Sequence, residues 1–396
     1  MNENQSPIKS LEFLKNRFRE YYETNNVELP DRFGRREFAF VLFGGKGMIR
    51  HLAYNKKTDI KKVLIDKSPA HSYYSSAYYK TPNAQTMQEK NWMGAELIFD
   101  LDSDHIPEAK NMSYTESLEL VKKEFYKLVD DFLLNDFGFE EKYMDLYFSG
   151  GRGYHCHVRD SKIMDLDSNE RREIVDYITG RDLKESLVFH EHITERKSYG
   201  GRVFAGGKSL KMPLPDEPGW RGRISRGILD IVNEIKKSDK PIEKLQGYGV
   251  KSSDAEKLVM ELSDERVKRM RDGLLDQSKT IRKFFLNNAL RKTAVSMSAG
   301  ETDEPVTCDV KRLIRLPSSL HGKTGLKVTR VTLDKLNDFN PLVDAVVFDE
   351  EPIKVELNQP FKINMKEKNF DLEKGEQKIP TYLAVFLIGR NIANII

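Results

Sequence analysis

The stretch Glu96-Leu97-Ile98-Phe99-Asp100-Leu101-Asp102 decides the fold, because it has the pattern of a strand that leaves a core and ends in acids. Side chains alternate between the faces of a strand, so Asp100 and Asp102 project to the same side. Two like charges this close repel unless a cation lies between them, and hard oxygen ligands suit Mg²⁺ or Mn²⁺. The pair therefore indicates a site for two-metal phosphoryl transfer. An ordinary exposed strand end is the alternative.

A second motif follows about fifty residues later, as Phe148-Ser149-Gly150-Gly151-Arg152-Gly153-Tyr154-His155. The pattern predicts a strand over 143–148, a turn, and a return strand over 154–158. The turn offers a hydroxyl, unhindered backbone N–H groups and one guanidinium, which is what a triphosphate needs when no P-loop is present. His155 could donate to a phosphate or support a metal site, with a purely structural role as the alternative.

The third chemically rich region is residues 303–325, which combines acids, bases and a turn. A carboxylate from this region would complete a metal triad, and Asp303 and Asp309 both qualify chemically. Basic side chains here could neutralise charge on a nucleotide or its growing oligomer; they are Arg315, His321 and Lys323. A basic strand facing solvent is the alternative.

The composition is that of a large globular protein in which positive and negative charges nearly balance. The chain has 396 residues, 39% of them hydrophobic and 32% charged, with a formal net charge of +3. Affinity for polyanions must therefore come from local basic patches. Two cysteines, Cys156 and Cys308, exclude a disulfide framework. No apolar stretch approaches the length of a membrane span or signal peptide, so a cytoplasmic protein without membrane association is expected.

The remaining pattern predicts a discontinuous domain. A capped N-terminal helix, a hairpin formed by 36–42 and 48–52, and a helix after the capping box Ser113-x-x-Glu116 precede the second motif. Residues 168–298 are mostly helical in pattern, with a connecting loop over 198–218, and strands return after residue 301. We therefore predict one domain from 1–167 and 299–396, interrupted by a helical insertion at 168–298.

The three motifs, in this order and spacing, resemble those of the catalytic small subunit of archaeal and eukaryotic DNA primase, within the archaeo-eukaryotic primase superfamily. The resemblance covers nearly the whole chain. It implies an α/β (α+β) catalytic domain with mixed or antiparallel sheets flanked by helices, plus a mostly α-helical inserted subdomain. It also implies synthesis of short RNA or DNA primers on single-stranded DNA from nucleoside triphosphates by two-metal nucleotidyl transfer. A primase large subunit is the implied partner in a heterodimer.

The resemblance assigns the catalytic divalent metals, Mg²⁺ or Mn²⁺, to Asp100, Asp102 and a third carboxylate eighteen residues before His321, which is Asp303. Asp309 is kept as the second candidate. The implied nucleotide-binding residues are Ser149, Gly150, Arg152, His155, Arg315, His321 and Lys323, with a looser match at Glu37 and Arg50.

One departure from the family concerns zinc. Family members usually carry a Cys/His zinc knob between the first two motifs, whereas residues 103–147 contain no Cys and only one His, His105. A tetrahedral zinc site of the usual kind cannot be assembled there, so no structural zinc is expected. A buried thiol is the expected state of Cys156 and Cys308.

Three other functions are compatible with parts of the pattern. A primase-related repair polymerase would share the acids but extend primers instead of starting them, although the insertion at 168–298 favours a primase. A non-catalytic nucleic-acid-binding module would not need the acids. A two-metal nuclease would not need a triphosphate clamp. The aromatic residues Tyr21, Tyr22, Tyr73 and Tyr74 are weak candidates for a partner surface.

Overall fold

A computed structural model describes residues 6–199, 202–275, 279–294 and 306–396. The strands in these ranges are β1 (Phe38–Val41), β2 (Met48–Leu52), β3 (His71–Ser75), β4 (Ala77–Tyr79), β5 (Trp92–Ala95), β6 (Leu97–Asp102), β7 (Met144–Phe148), β8 (Gly153–Val158), β9 (His190–Tyr199), β10 (Arg202–Lys211), β11 (Leu274–Leu275), β12 (Leu313–Arg315), β13 (Thr329–Val331), β14 (Pro352–Leu357), β15 (Phe361–Met365), β16 (Lys368–Leu372), β17 (Gly375–Pro380) and β18 (Ala393–Ile395).

The α-helices are α1 (Ser6–Thr24), α2 (Lys57–Lys67), α3 (Met87–Lys90), α4 (Tyr114–Lys127), α5 (Ser168–Thr179), α6 (Glu185–Val188), α7 (Gly219–Lys237), α8 (Pro241–Gly247), α9 (Ser252–Glu261), α10 (Asp264–Arg271), α11 (Lys279–Thr293), α12 (Leu333–Leu336), α13 (Pro341–Asp344) and α14 (Thr381–Gly389). The chain divides into two compact units, 1–175 with 296–396 and 176–295. The sequence pattern placed the insertion at 168–298, whereas α5 begins in the first unit and ends in the second.

Two four-stranded antiparallel sheets dominate the first unit. Their strand orders are β12-β3-β1-β2 and β13-β7-β8-β6. Smaller antiparallel sheets, including β17-β14-β18, follow toward the C-terminus. The predicted fold class, α/β (α+β) with antiparallel sheets flanked by helices, is confirmed. The predicted hairpin is also confirmed, because β1 pairs antiparallel with β2 across the glycine-rich turn.

Helix α4 covers the sheet that carries the acids. Its N-terminus is the predicted capping box: Ser113 Oγ accepts the backbone N–H of Glu116, and the Glu116 carboxylate accepts the N–H of Ser113. The apolar stripe of α4, which includes Leu118, Val121 and Phe125, is buried against β6 and β8. The capping box sets where α4 begins, and the helical periodicity sets which of its faces packs against β6.

The second unit contains a hairpin that the sequence analysis missed. Helices α7 to α11 fit the predicted helical pattern, but β9 and β10 pair antiparallel and β11 adds to β10. The prediction of a connecting loop over 198–218 is therefore wrong for Arg202–Lys211. Glycine and lysine interrupt the alternation of apolar and polar residues in this strand, so periodicity gave no strand signal.

A buried charged network lies where the chain enters β6. Arg36 and Glu96 form an ion pair, and their side chains are 0% and 2% exposed. The guanidinium of Arg36 also donates to the carbonyls of Asp31 and Ser75. Glu96 lies 3.3 Å from Nδ1 of His157, on β8. The network therefore ties the segment that enters β6 to the neighbouring sheet.

The aromatic partner surface is not supported. Tyr21, Tyr22 and Tyr74 are buried, with at most 8% of each exposed, so they cannot form a contact surface for another protein. Tyr73 instead lines the cleft described below. Cys156 and Cys308 are both buried, as predicted.

Candidate active site

The register of β6 against β8 brings the first two motifs together. Asp100 lies opposite His155, and Asp102 lies opposite Gly153. A Cβ atom on Gly153 would come within 2.2 Å of the Leu101 carbonyl oxygen, so only glycine permits this approach. The turn that precedes β8 is consequently held beside the acids.

Ser149 organises that turn. Its Oγ accepts the backbone N–H groups of Gly151 and Gly153, each at 3.2 Å. Gly150 has φ +76°, and its carbonyl accepts a hydrogen bond from Thr324 Oγ1 at 2.5 Å. The third motif therefore holds the turn from its other side, and Gly150 contacts that motif instead of lining the cleft.

The three motifs surround one cleft of about 760 Å³. Most of the predicted site residues line it: Asp100, Asp102, Ser149, Arg152, His155, Arg315, His321 and Lys323. Further lining residues that the sequence did not single out as site residues are His71, Tyr73, Arg312, Thr324, Gln359 and Arg390. The cleft therefore combines a pair of acids with an excess of basic groups.

The two acids experience different environments. Burial alone would raise the pKa of Asp100, but three basic side chains lower it below its usual value: His155, Arg312 and Arg315. The nearest is His155, whose Nε2 lies 3.2 Å from Asp100 Oδ1. The pKa of Asp102 is raised by burial and by the like charges of Asp100 and Asp104. A divalent cation would relieve this repulsion, and carboxylate oxygens are the donors that Mg²⁺ and Mn²⁺ prefer. The donor set therefore fits a catalytic divalent metal.

The third carboxylate remains a prediction. Asp303 lies outside the described residues. Asp309 does not line the cleft, and its carboxylate accepts the backbone N–H of Lys311 at 2.8 Å. Among the residues that the structure describes, no group of three or more His, Cys, Asp or Glu side chains is arranged to hold a metal.

Basic groups occupy the walls of the cleft. Arg152 pairs with Asp104, and its Nε lies 3.9 Å from Asp102 Oδ1. Arg315 donates to His71 Nδ1 at 2.6 Å and lies 5.0 Å from the centre of the Tyr73 ring. This stacking and hydrogen bonding fix the guanidinium of Arg315 at the wall formed by β12 and β3.

Two histidines in this wall are neutral at neutral pH. Burial and the charges of Arg315 and Lys323 lower the pKa of His71 to about 3. Burial and Arg315 also lower the pKa of His321 well below its usual range. The ring centres of His71 and His321 are 4.8 Å apart. The positive charge at this wall is therefore carried by Arg315 and Lys323.

The neutral state of His71 predicts a loss of stability in mild acid. In the unfolded chain His71 binds a proton below pH 6.5, but in the folded chain only below about pH 3, so the free energy of unfolding decreases as the pH falls between these values. The expected contribution of His71 is a loss of about 2 kcal/mol between pH 7 and pH 5. Urea unfolding at both pH values measures it.

His71→Asn should reduce this pH dependence, because asparagine keeps an acceptor for the N–H of Gly322 but does not titrate. The exposed His190 is the control, and His190→Asn should leave the pH dependence unchanged. Equal pH dependence in wild type and His71→Asn would contradict the prediction.

Glu37 and Arg50 are not brought into the cleft. The Glu37 carboxylate is buried and is bound by Lys90, by Arg50 Nε at 3.1 Å and by the backbone N–H of His51 at 3.0 Å. Neither Glu37 nor Arg50 lines the cleft. Their predicted role in nucleotide binding stays a prediction.

Some lining residues carried little sequence signal. Arg312 belongs to the basic run that includes Arg315, so its position was at least suggested by charge. His71 and Gln359 have no motif around them, and Arg390 follows the apolar helix α14. They reach the cleft through contacts between segments far apart in the chain, which local patterns do not encode.

No helix in the described ranges is both long and apolar enough to cross a membrane.

Comparison with known proteins gives a consistent assignment. The family model of the DNA primase small subunit matches residues 99–333, which include Asp100, Asp102 and the whole of the second and third motifs. A protein named DNA primase small subunit PriS, from Methanocella arvoryzae, is 41% identical over 393 residues, covering 96% of this chain and 98% of that relative.

Two further relatives carry the same name. The protein from Methanothrix thermoacetophila is 40% identical, covering 98% of this chain and 99% of its own length. The protein from Picrophilus torridus is 39% identical, covering 96% of this chain and 97% of its own length. The chain therefore belongs to the DNA primase small subunit family and is an enzyme of that kind, a nucleotidyltransferase.

Proposed function

We propose that this chain starts primers on single-stranded DNA by joining nucleoside triphosphates in the cleft. The observation that carries the proposal is the position of two adjacent carboxylates, Asp100 and Asp102, beside the turn that Ser149 organises and several basic side chains. Acids alone would suit a nuclease, and basic groups alone would suit a binding module. Both together favour nucleotidyl transfer from a triphosphate.

Asp100 and Asp102 would hold Mg²⁺ or Mn²⁺, with Asp303 as the proposed third carboxylate. Cations held there would supply positive charge that stabilises nucleotidyl transfer. His155 fixes one oxygen of Asp100, because its Nε2 lies 3.2 Å from Oδ1. The acids are thereby positioned by the sheet and by a neighbouring side chain before substrate binds.

In this proposal the phosphates are bound by the basic groups that line the cleft beside the acids. Arg152, on the turn that Ser149 organises, supplies two N–H donors in the fork geometry that matches phosphate oxygens. Arg315 and Lys323 of the third motif add positive charge to the same cleft. As pyrophosphate departs, these groups neutralise the charge that develops on it.

The partners follow from the same proposal. The relatives are named small subunits, so we propose a large-subunit partner that helps to hold two nucleotides on the template. Single-stranded DNA and nucleoside triphosphates are the proposed substrates. The cytoplasmic location and the absence of a structural zinc remain predictions.

Synthesis of primers without a supplied primer tests the proposal. The assay uses single-stranded DNA, labelled nucleoside triphosphates and Mg²⁺ or Mn²⁺, with the chain alone and together with its large subunit. We expect oligomers from wild type and from Asp309→Asn, and a loss of about a hundredfold or more in Asp303→Asn, because a metal ligand stabilises transition-state charge.

Loss of activity in Asp309→Asn with retention in Asp303→Asn would reverse the assignment of the third carboxylate. Extension of a supplied primer without any product formed de novo, even with the large subunit, would favour a repair polymerase and overturn the proposal.

A further inference from the structure

We propose that Arg390 is a further phosphate-binding residue of this site, which contacts the terminal phosphates of the incoming nucleoside triphosphate together with Arg152. The inference deepens the proposed function and rests on it. Arg390 lies directly after helix α14, about 240 residues from the turn that it would assist. Its side chain reaches the cleft and also lines a second cavity, of about 410 Å³, in which Arg152 participates as well.

Aromatic rings hold the guanidinium in place. Cζ of Arg390 lies 4.8 Å from the centre of the Tyr114 ring and 5.2 Å from the centre of the Phe386 ring. A cation at this distance from an aromatic face is attracted to it. Tyr114 is the first residue of α4, so the capped end of this helix fixes the ring under Arg390.

Tyr114 also connects Arg390 to the turn. Its hydroxyl donates to the Gly151 carbonyl at 2.6 Å, within the turn that Ser149 organises. The pKa of Tyr114 is raised by burial, while Arg390 and Arg152 oppose that rise, which places both guanidinium groups close to the phenol. The two arginines and the turn therefore form one basic surface with a common support.

Arg390 has no anionic partner in the described part of the chain. The nearby carboxylates of Asp102 and Asp104 contact Arg152, and no ion pair of Arg390 is formed with either. Its Nε is buried without a hydrogen-bond partner. Burial and the charge of Arg152 lower the pKa of Arg390. Two like charges held this way are stabilised by an anion between them, and phosphate oxygens fit guanidinium groups well.

The position favours the triphosphate over the nucleic-acid backbone. Arg390 adjoins Arg152 and Tyr114 at the turn, which is the part of the cleft that binds phosphate in our proposal. The second cavity is also lined by Lys110 and by Asp104, which pairs with Arg152, so it offers space for terminal phosphates next to three basic side chains and one acid.

Binding measurements test this role without relying on catalysis. Calorimetric titration with ATP, AMP and tripolyphosphate, in the presence of Mn²⁺, should show ATP and tripolyphosphate affinity reduced ten- to hundredfold in Arg390→Ala, the loss expected for a charged hydrogen bond. AMP affinity and affinity for single-stranded DNA should not change. Arg390→Lys should retain part of the ATP affinity because it keeps the charge but loses the planar fork.

Arg17 provides a matched control. It is an arginine held near an aromatic ring, 5.7 Å from the centre of Phe13, but it pairs with Glu20 and does not line the cleft. Arg17→Ala should bind ATP as wild type does. Equal ATP affinity in wild type and Arg390→Ala would overturn the inference, and so would a loss confined to DNA binding. Failure of wild type to make primers would instead count against the proposed function alone.

Discussion

Asp102→Asn is expected to reduce primer synthesis by about a thousandfold while leaving the chain folded. A ligand to a catalytic metal contributes several kcal/mol to transition-state stabilisation, which corresponds to a factor of this size. The fold should tolerate the change, because the like charges of Asp100 and Asp104 raise the pKa of Asp102 and asparagine removes that repulsion. Rates of primer synthesis and melting temperatures without metal measure the two effects.

The neighbouring acid is a suitable control for this variant. Asp104 is more exposed, at 55% of its side chain, and pairs with Arg152 from outside the strand. Asp104→Asn should therefore retain most of the activity. Mn²⁺ should raise the melting temperature of wild type and of Asp104→Asn, but not that of Asp102→Asn, because a ligand stabilises only a fold that binds it. Near-normal activity in Asp102→Asn would refute the metal assignment.

Glu96→Ala is expected to destabilise the protein by about 3–5 kcal/mol, the range found when one partner of a buried ion pair is removed. Arg36 would remain charged, with its side chain 0% exposed and only neutral acceptors around it. Urea unfolding of wild type and variant measures the change. The effect should exceed that of any exposed ion pair, such as Lys362 with Asp371.

A double variant separates lost charge pairing from lost packing. In Arg36→Met with Glu96→Leu, no buried charge lacks a partner, so much of the stability should return. If the double variant is as unstable as Glu96→Ala, packing or the bond to His157 is the main contribution of Glu96 instead.

The sequence predicted those parts of the site that depend on local pattern. Alternation along β6 placed Asp100 and Asp102 on one side of a strand that is otherwise buried. The capping box at Ser113 predicted the start of α4. These signals involve residues two to four positions apart, so the neighbouring sequence contains all the information needed.

Other features depend on contacts that local pattern does not contain. His71 and Arg390 enter the cleft because β3 and the end of α14 pack beside the motifs, and nothing near either residue indicates this. The same reason explains why the predicted partner surface was wrong. Tyr22 and Tyr74 were chosen because aromatic residues are enriched at interfaces, yet tertiary packing buries both.

The hairpin of β9 and β10 shows a different limit. Its strands pair over ten residues, but charged residues and glycines are spread through them, so the sequence has neither the alternation of a half-buried strand nor a continuous apolar run. Backbone hydrogen bonds can pair two strands whatever their side chains are. The β-propensity of these residues is low, so propensity alone predicts a loop.

The pairing of Asp100 with His155 and of Asp102 with Gly153 fixes the positions of the acids relative to β8 through the backbone. Asp102 and Gly153, the residue that follows the turn, are separated by the spacing of adjacent strands, roughly 4.8 Å, which surface side chains cannot adjust. A slip of one residue would turn the acids to the opposite face of the sheet. Under our proposal, disruption of this ladder would therefore remove the metal site and the triphosphate site together.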